Sequence, residues 1–98
     1  FDIQEHLKTA GDRAAYIEAA LEDGDVSLIT HALGDVARAA GMSDVARQAG
    51  VTREGLYKAL SEKGDPRLST LLGVMRALGL QLSVRAADAE KPADTAAA

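Results

Sequence analysis

The sequence predicts an all-α fold of five short helices, closed near the C-terminal end by a single β-strand. Three observations carry this. Apolar residues recur at helical spacing in five successive segments, each stopped by glycine or a turn. Aromatics make up only 3% of the chain while hydrophobic residues reach 47%. The core must then come from Leu, Val, Ile and Ala, which suits packed helices better than a sheet sandwich. After Gly79 the apolar period switches from helical to two.

Each element follows from its own residues. Residues 1–11 have weak periodicity and are expected as a separate N-terminal segment, followed by one domain over 12–85. Asp12 is placed to cap the first helix, with Ala14, Ile17 and Leu21 on one side and Glu18 and Glu22 on the other. Asp23-Gly24-Asp25 breaks it, and Asp25 caps the second. That helix repeats Ile29, Leu33, Val36 and Ala40 on one stripe, with Leu28 and Ala32 beside it, and stops at Gly41. A short third helix over 43–49 closes on Gly50. Thr52 caps a fourth, running to about Leu60. After the loop 63–66, a fifth over 67–78 places Leu68, Leu71, Leu72, Met75 and Leu78 at helical spacing.

Leu80, Leu82 and Val84 then alternate with Gln81, Ser83 and Arg85, the pattern of a half-buried strand. A lone strand leaves its ladder hydrogen bonds unmade. Residues 1–3 are too short to pair with it. The simplest partner is the same strand of a second copy across a two-fold axis, so Leu80, Leu82 and Val84 are the expected dimerisation residues. Residues 86–98 are Ala, Asp, Glu, Lys, Pro and Thr without period, and are expected to be disordered.

The segment 42–61 reads MSDVARQAGVTREGLYKALS. Ala46 is small where two helices would cross. Gly50, four residues on, suits a turn with a positive backbone angle. Val45, Ala49, Val51, Leu56 and Ala59 take the inward positions, and Thr52 caps the second helix. Arg53, Glu54, Tyr57, Lys58 and Ser61 are left on its outer face. Arginine pairs bidentately with guanine and glutamate accepts from cytosine. Arg47 and Lys63 flank the motif as backbone contacts, and Thr52 with the amides behind it suits a phosphate. The bland reading of Arg53, Glu54 and Lys58 is a solvated helix face, with Glu54 and Lys58 at the spacing of a surface pair.

This segment resembles the helix-turn-helix of phage-repressor-like regulators of the Cro type. Gly64-Asp65-Pro66 followed by LSTLLGVMRALGL looks like the closing helix of the same kind of domain. Residues 29–84 look closer still to the HigA-like addiction-module antidotes, and AAYIEAALEDGD resembles that family's entry helix. The resemblance covers residues 12–85. It implies an antitoxin that silences a RelE-like or ParE-like toxin and, as a homodimer, represses its own operon by binding double-stranded operator DNA.

Charge is divided in a way that fits two partners. The net charge is −4, but residues 1–25 carry seven acids against two bases and residues 36–85 eight bases against four acids. Under the resemblance, the acidic end would cover a cationic toxin, with Glu18, Glu22, Asp23 and Asp25 as the toxin-facing group. Two competing readings keep the fold: a stand-alone repressor-like regulator, and an interaction module that no longer binds DNA. An enzyme is disfavoured, because His6 and His31 lack a motif and no metal-ligand spacing or Gly-rich phosphate loop appears. No cofactor or metal is expected. Without cysteine, without a visible signal peptide and without an apolar run of about 20 residues, the expected place is the cytoplasm, away from the membrane.

Overall fold

The computed structural model describes residues 2–87. A 3₁₀ turn, Ile3–His6, precedes five α-helices: α1 (Ala10–Asp23), α2 (Val26–Ala40), α3 (Met42–Ala49), α4 (Arg53–Ala59) and α5 (Leu68–Ala77). Helix α1 packs on α2, while α3 packs chiefly on α5 and also on α4.

Helix boundaries are set by local chemistry. The Asp25 carboxylate accepts from the Ser27 amide at 2.9 Å and opens α2. The Thr52 hydroxyl does the same for α4, from Gly55 at 2.9 Å. Helix α1 departs from expectation. Its cap is Thr9, whose Oγ1 accepts from the Asp12 amide at 3.0 Å, so Asp12 lies within the first turn. Gly11, which looks like a breaker, is tolerated there because first-turn amides have no intrahelical partner.

The core joins all five helices: Ile17 from α1; Leu33, Val36 and Ala37 from α2; Met42, Val45 and Ala46 from α3; Leu56 from α4, with Leu60 after it; Val74 and Met75 from α5, with Leu78 after it. Leu7 joins this core from the N-terminal segment, and the Arg13 Nε donates to its carbonyl at 2.9 Å. Part of the expected α1 stripe is corrected. Ile17 and Ala20 are buried, but Ala14 and Leu21 face outward, as does Leu28 on α2. Gly73 lets α5 approach α3 closely: a β-carbon there would lie 3.0 Å from Ala49 Cα.

Residues 80–86 carry no regular secondary structure, so the single chain forms no strand at Leu80, Leu82 and Val84. Leu80 packs against the core, Leu82 is partly exposed and Val84 is 95% exposed. The tail expected to be disordered falls, from residue 88 on, outside the described residues.

Candidate nucleic-acid interface

Helices α3 and α4 are joined by a turn of two residues and a cap. Gly50 takes φ 76°, a left-handed conformation that L-residues adopt only at a cost. The Gly50 amide donates to the Arg47 carbonyl at 3.2 Å and the Val51 amide to the Ala46 carbonyl at 3.0 Å, which satisfies the end of α3. Val51 then folds onto the core, and Thr52 restarts the helix. Leu56 and Leu60 anchor α4 from below.

That anchoring leaves Thr52, Arg53, Glu54, Tyr57, Lys58 and Ser61 exposed, so the expected outer face is brought together on one short helix and its end. Arg53 lies over the Tyr57 ring, 5.5 Å from its centre, and its Nη2 donates to the Tyr57 hydroxyl at 3.4 Å. The pair is a cation–π contact that stiffens the arginine while leaving it at the surface. The Ser61 hydroxyl donates to the Lys58 carbonyl at 2.8 Å, closing the helix end. Glu54 and Lys58 form no ion pair among the described residues. Lys63 shares a shallow depression of about 400 Å³ with Lys58, Ser61 and Asp65.

Gly55 has no neighbouring helix against it. A β-carbon there would come within 2.9 Å of the Thr52 hydroxyl, so a side chain at this position presses on the cap of its own helix. Arg47 is exposed on α3 and paired with Asp44 at 2.9 Å. Gln48, exposed beside it near the turn, is an uncharged polar group that charge patterning does not single out.

The stretch that holds α3, α4 and the loop after them is less basic than 36–85 as a whole. All four acids between residues 36 and 85, Asp44, Glu54, Glu62 and Asp65, fall within 43–67. Five of the eight bases do: Arg47, Arg53, Lys58, Lys63 and Arg67. Arg38 is turned inward to Asp35, with Nη2 to Oδ1 at 2.9 Å.

Asp35 itself was hidden from a sequence reading by the apolar stripe around it. It is buried, and Tyr16 of α1 donates to its Oδ2 at 2.6 Å. His31 stands 3.4 Å from the same oxygen, with its ring largely exposed. The hydrogen bond to Asp35, then burial and the Asp35 charge, push the Tyr16 phenol up to about 12, against the pull of Arg38. The signal available beforehand was the spacing of His31, Asp35 and Arg38 at i, i+4 and i+7.

The four expected toxin-facing acids are all exposed. Glu18 and Glu22 line a groove beside α1. Asp23 ends α1, and the Asp25 carboxylate is engaged in the α2 cap. No helix among the described residues is long and apolar enough to cross a membrane.

A family model described as "Probable addiction module antidote protein" matches residues 1–86. A curated protein of Haemophilus influenzae (strain Rd), titled "Uncharacterized protein", is 48% identical over 85 residues, covering 87% of this chain and 88% of its own length. No solved structure matches.

Proposed function

The chain belongs to the probable addiction module antidote family, and on that premise we propose that it is the antitoxin of a type II toxin–antitoxin pair. It neutralises a small RelE-like or ParE-like toxin and represses its own operon as a homodimer that binds operator DNA. The observation that carries the DNA half is the exposed row Arg53, Glu54, Tyr57 and Lys58 on a helix held outward by the Gly50 turn.

In this reading α4 lies in the major groove, with Arg53 near its N-terminus at base edges. Arg47, Thr52, Ser61 and Lys63 meet the backbone. The segment carrying Leu80, Leu82 and Val84 pairs with its copy, so two α4 helices enter successive grooves about 34 Å apart. The acidic outer side of α1, with Glu18, Glu22 and Asp23, faces the toxin; Asp25 contributes charge alone, since its carboxylate already caps α2.

A gel shift on the DNA upstream of the chain's own gene tests this. Binding should weaken steeply with salt, because phosphate contacts release counterions. Arg53→Ala should cost about 1–3 kcal/mol of specific affinity if Arg53 reads a base. Absence of a shift at low salt would favour the interaction module without DNA binding. The near balance of five bases and four acids over 43–67 supports that second reading.

A further inference from the structure

A groove of about 560 Å³ runs between α1 and residues 79–85. Ala14, Ile17 and Leu21 line it from α1, and Leu80 and Leu82 from the segment. Leu21 is 46% exposed and Leu82 39%, so apolar surface lies open on both sides. Glu18 and Glu22 stand on the α1 side and Arg85 on the segment side, and none of the three forms an ion pair among the described residues.

The segment is itself incomplete. Past the Leu80 amide, which donates to Met75 at 2.8 Å, no backbone hydrogen bond holds residues 81–87 among the described residues. Its period-two pattern leaves Val84 almost wholly in solvent. A chain edge of this kind is a template for another strand.

Three properties therefore define what fits the groove. It is an extended stretch, because the segment offers unpaired backbone. It is apolar at alternate positions, because Leu21 and Leu82 need cover. It carries no net negative charge, because Glu18 and Glu22 on the α1 side outnumber the resident Arg85 in the lining. Residues 80–85 of this chain meet all three: Leu80, Leu82 and Val84 alternate, Arg85 is basic, and no acid occurs between Gly79 and Ala87.

We infer that the groove is the seat of a second copy's 80–85 segment, inserted between α1 and the resident segment. The exchange is reciprocal about a two-fold axis, giving the layer order α1, partner segment, own segment, partner α1. The inference rests on the dimer reading above and deepens it. It makes α1 part of the dimer interface and gives exposed Leu21 a role, while Glu18 and Glu22 remain at the rim.

The experiment uses the full chain, which has no cysteine to interfere. Sedimentation equilibrium should show a dimer, and Leu21→Asp and Leu82→Asp should each weaken it roughly tenfold or more. Both positions are open to solvent, so circular dichroism should show helix content unchanged. Mixed single-cysteine chains Leu21→Cys and Ser83→Cys should form an intermolecular disulfide, whereas Tyr57→Cys mixed with Ser83→Cys should not. A dimer that ignores both aspartates and fails to cross-link overturns the inserted segment but leaves the dimer reading standing. A wild-type monomer overturns both. If such a monomer loses its cognate toxin on Leu21→Asp, the groove belongs to the toxin instead.

Discussion

Helices α3 and α5 end in the same way, and the chain beyond them meets opposite fates. Gly50 and Gly79 take φ 76° and 78°. Each closing pattern ends with the next amide reaching back, Val51 to Ala46 at 3.0 Å and Leu80 to Met75 at 2.8 Å. Each next side chain packs on the core. After Val51, Thr52 caps a new helix and Leu56 becomes fully buried. After Leu80 no cap follows, and Leu82 and Val84 face outward. The turn geometry is equal, so the difference lies in whether the following residues find a partner inside one chain.

The largest contrast comes from truncating the two following leucines. Leu56→Ala removes a side chain with 0% exposure at the junction of α4 with the core. It should cost about 2–5 kcal/mol of folding stability, read by urea denaturation. Leu82→Ala, at dilutions where any dimer has dissociated, should change stability by no more than about 0.5 kcal/mol. Equal losses would mean that the segment after Gly79 is already buried in the single chain.

Next comes the attachment of α1, the far wall of the groove. Tyr16→Phe keeps the ring and removes the hydrogen bond to buried Asp35, at a cost of about 1.5–3 kcal/mol. The pH dependence follows in sign. Because the phenol is raised from 10.0 to about 12, the folded state favours its neutral form. That contribution is complete below pH 10 and is lost as pH rises from about 10 to about 12. Alkaline unfolding should shift in this window, and Tyr16→Phe should flatten it. A wild-type profile already flat there would mean that the Tyr16 hydrogen bond adds nothing to the hold on α1.

The same comparison explains what was legible in the sequence. Helices α2 to α5 could be read because their ends depend on residues within a few positions: Asp25, Gly41, Gly50, Thr52 and Gly79. The outer face of α4 followed from subtracting its buried positions. The start of α1 is not legible in the same way: Thr9 caps it ahead of Asp12, and Gly11 sits in the first turn, where a glycine breaks no helical bond. Leu7 was missed because one buried residue has no period. Leu21 fits the α1 stripe by spacing yet points into the groove, since helix spacing says which residues share a face and not whether that face is covered. Asp35 needed Tyr16, 19 positions away, before its burial made sense.

A smaller effect tests the turns themselves. Gly50→Ala and Gly79→Ala should each cost about 1–2 kcal/mol, because both force a β-carbon into left-handed backbone and neither would touch a neighbour closer than 3.8 Å. Equal stability losses with unequal consequences are expected. The Gly50 variant should also lose operator affinity, since α4 is aimed by that turn. The Gly79 variant should spare α4 and weaken self-association.

The smallest effect on stability is expected at Asp44, and it bears most directly on the α3–α4 face. Its ion pair with Arg47 is exposed at both ends, 73% and 65%, so Asp44→Ala should alter folding by no more than about 0.5 kcal/mol. Binding should respond differently. The substitution removes one of the four acids that stand among five bases over 43–67 and releases the Arg47 guanidinium. If Arg47 lies beside a phosphate, operator affinity should rise, and its salt dependence should steepen by about one phosphate contact. Unchanged affinity and slope would place Arg47 outside the DNA footprint. The stability measurement keeps that result apart from any loss of fold.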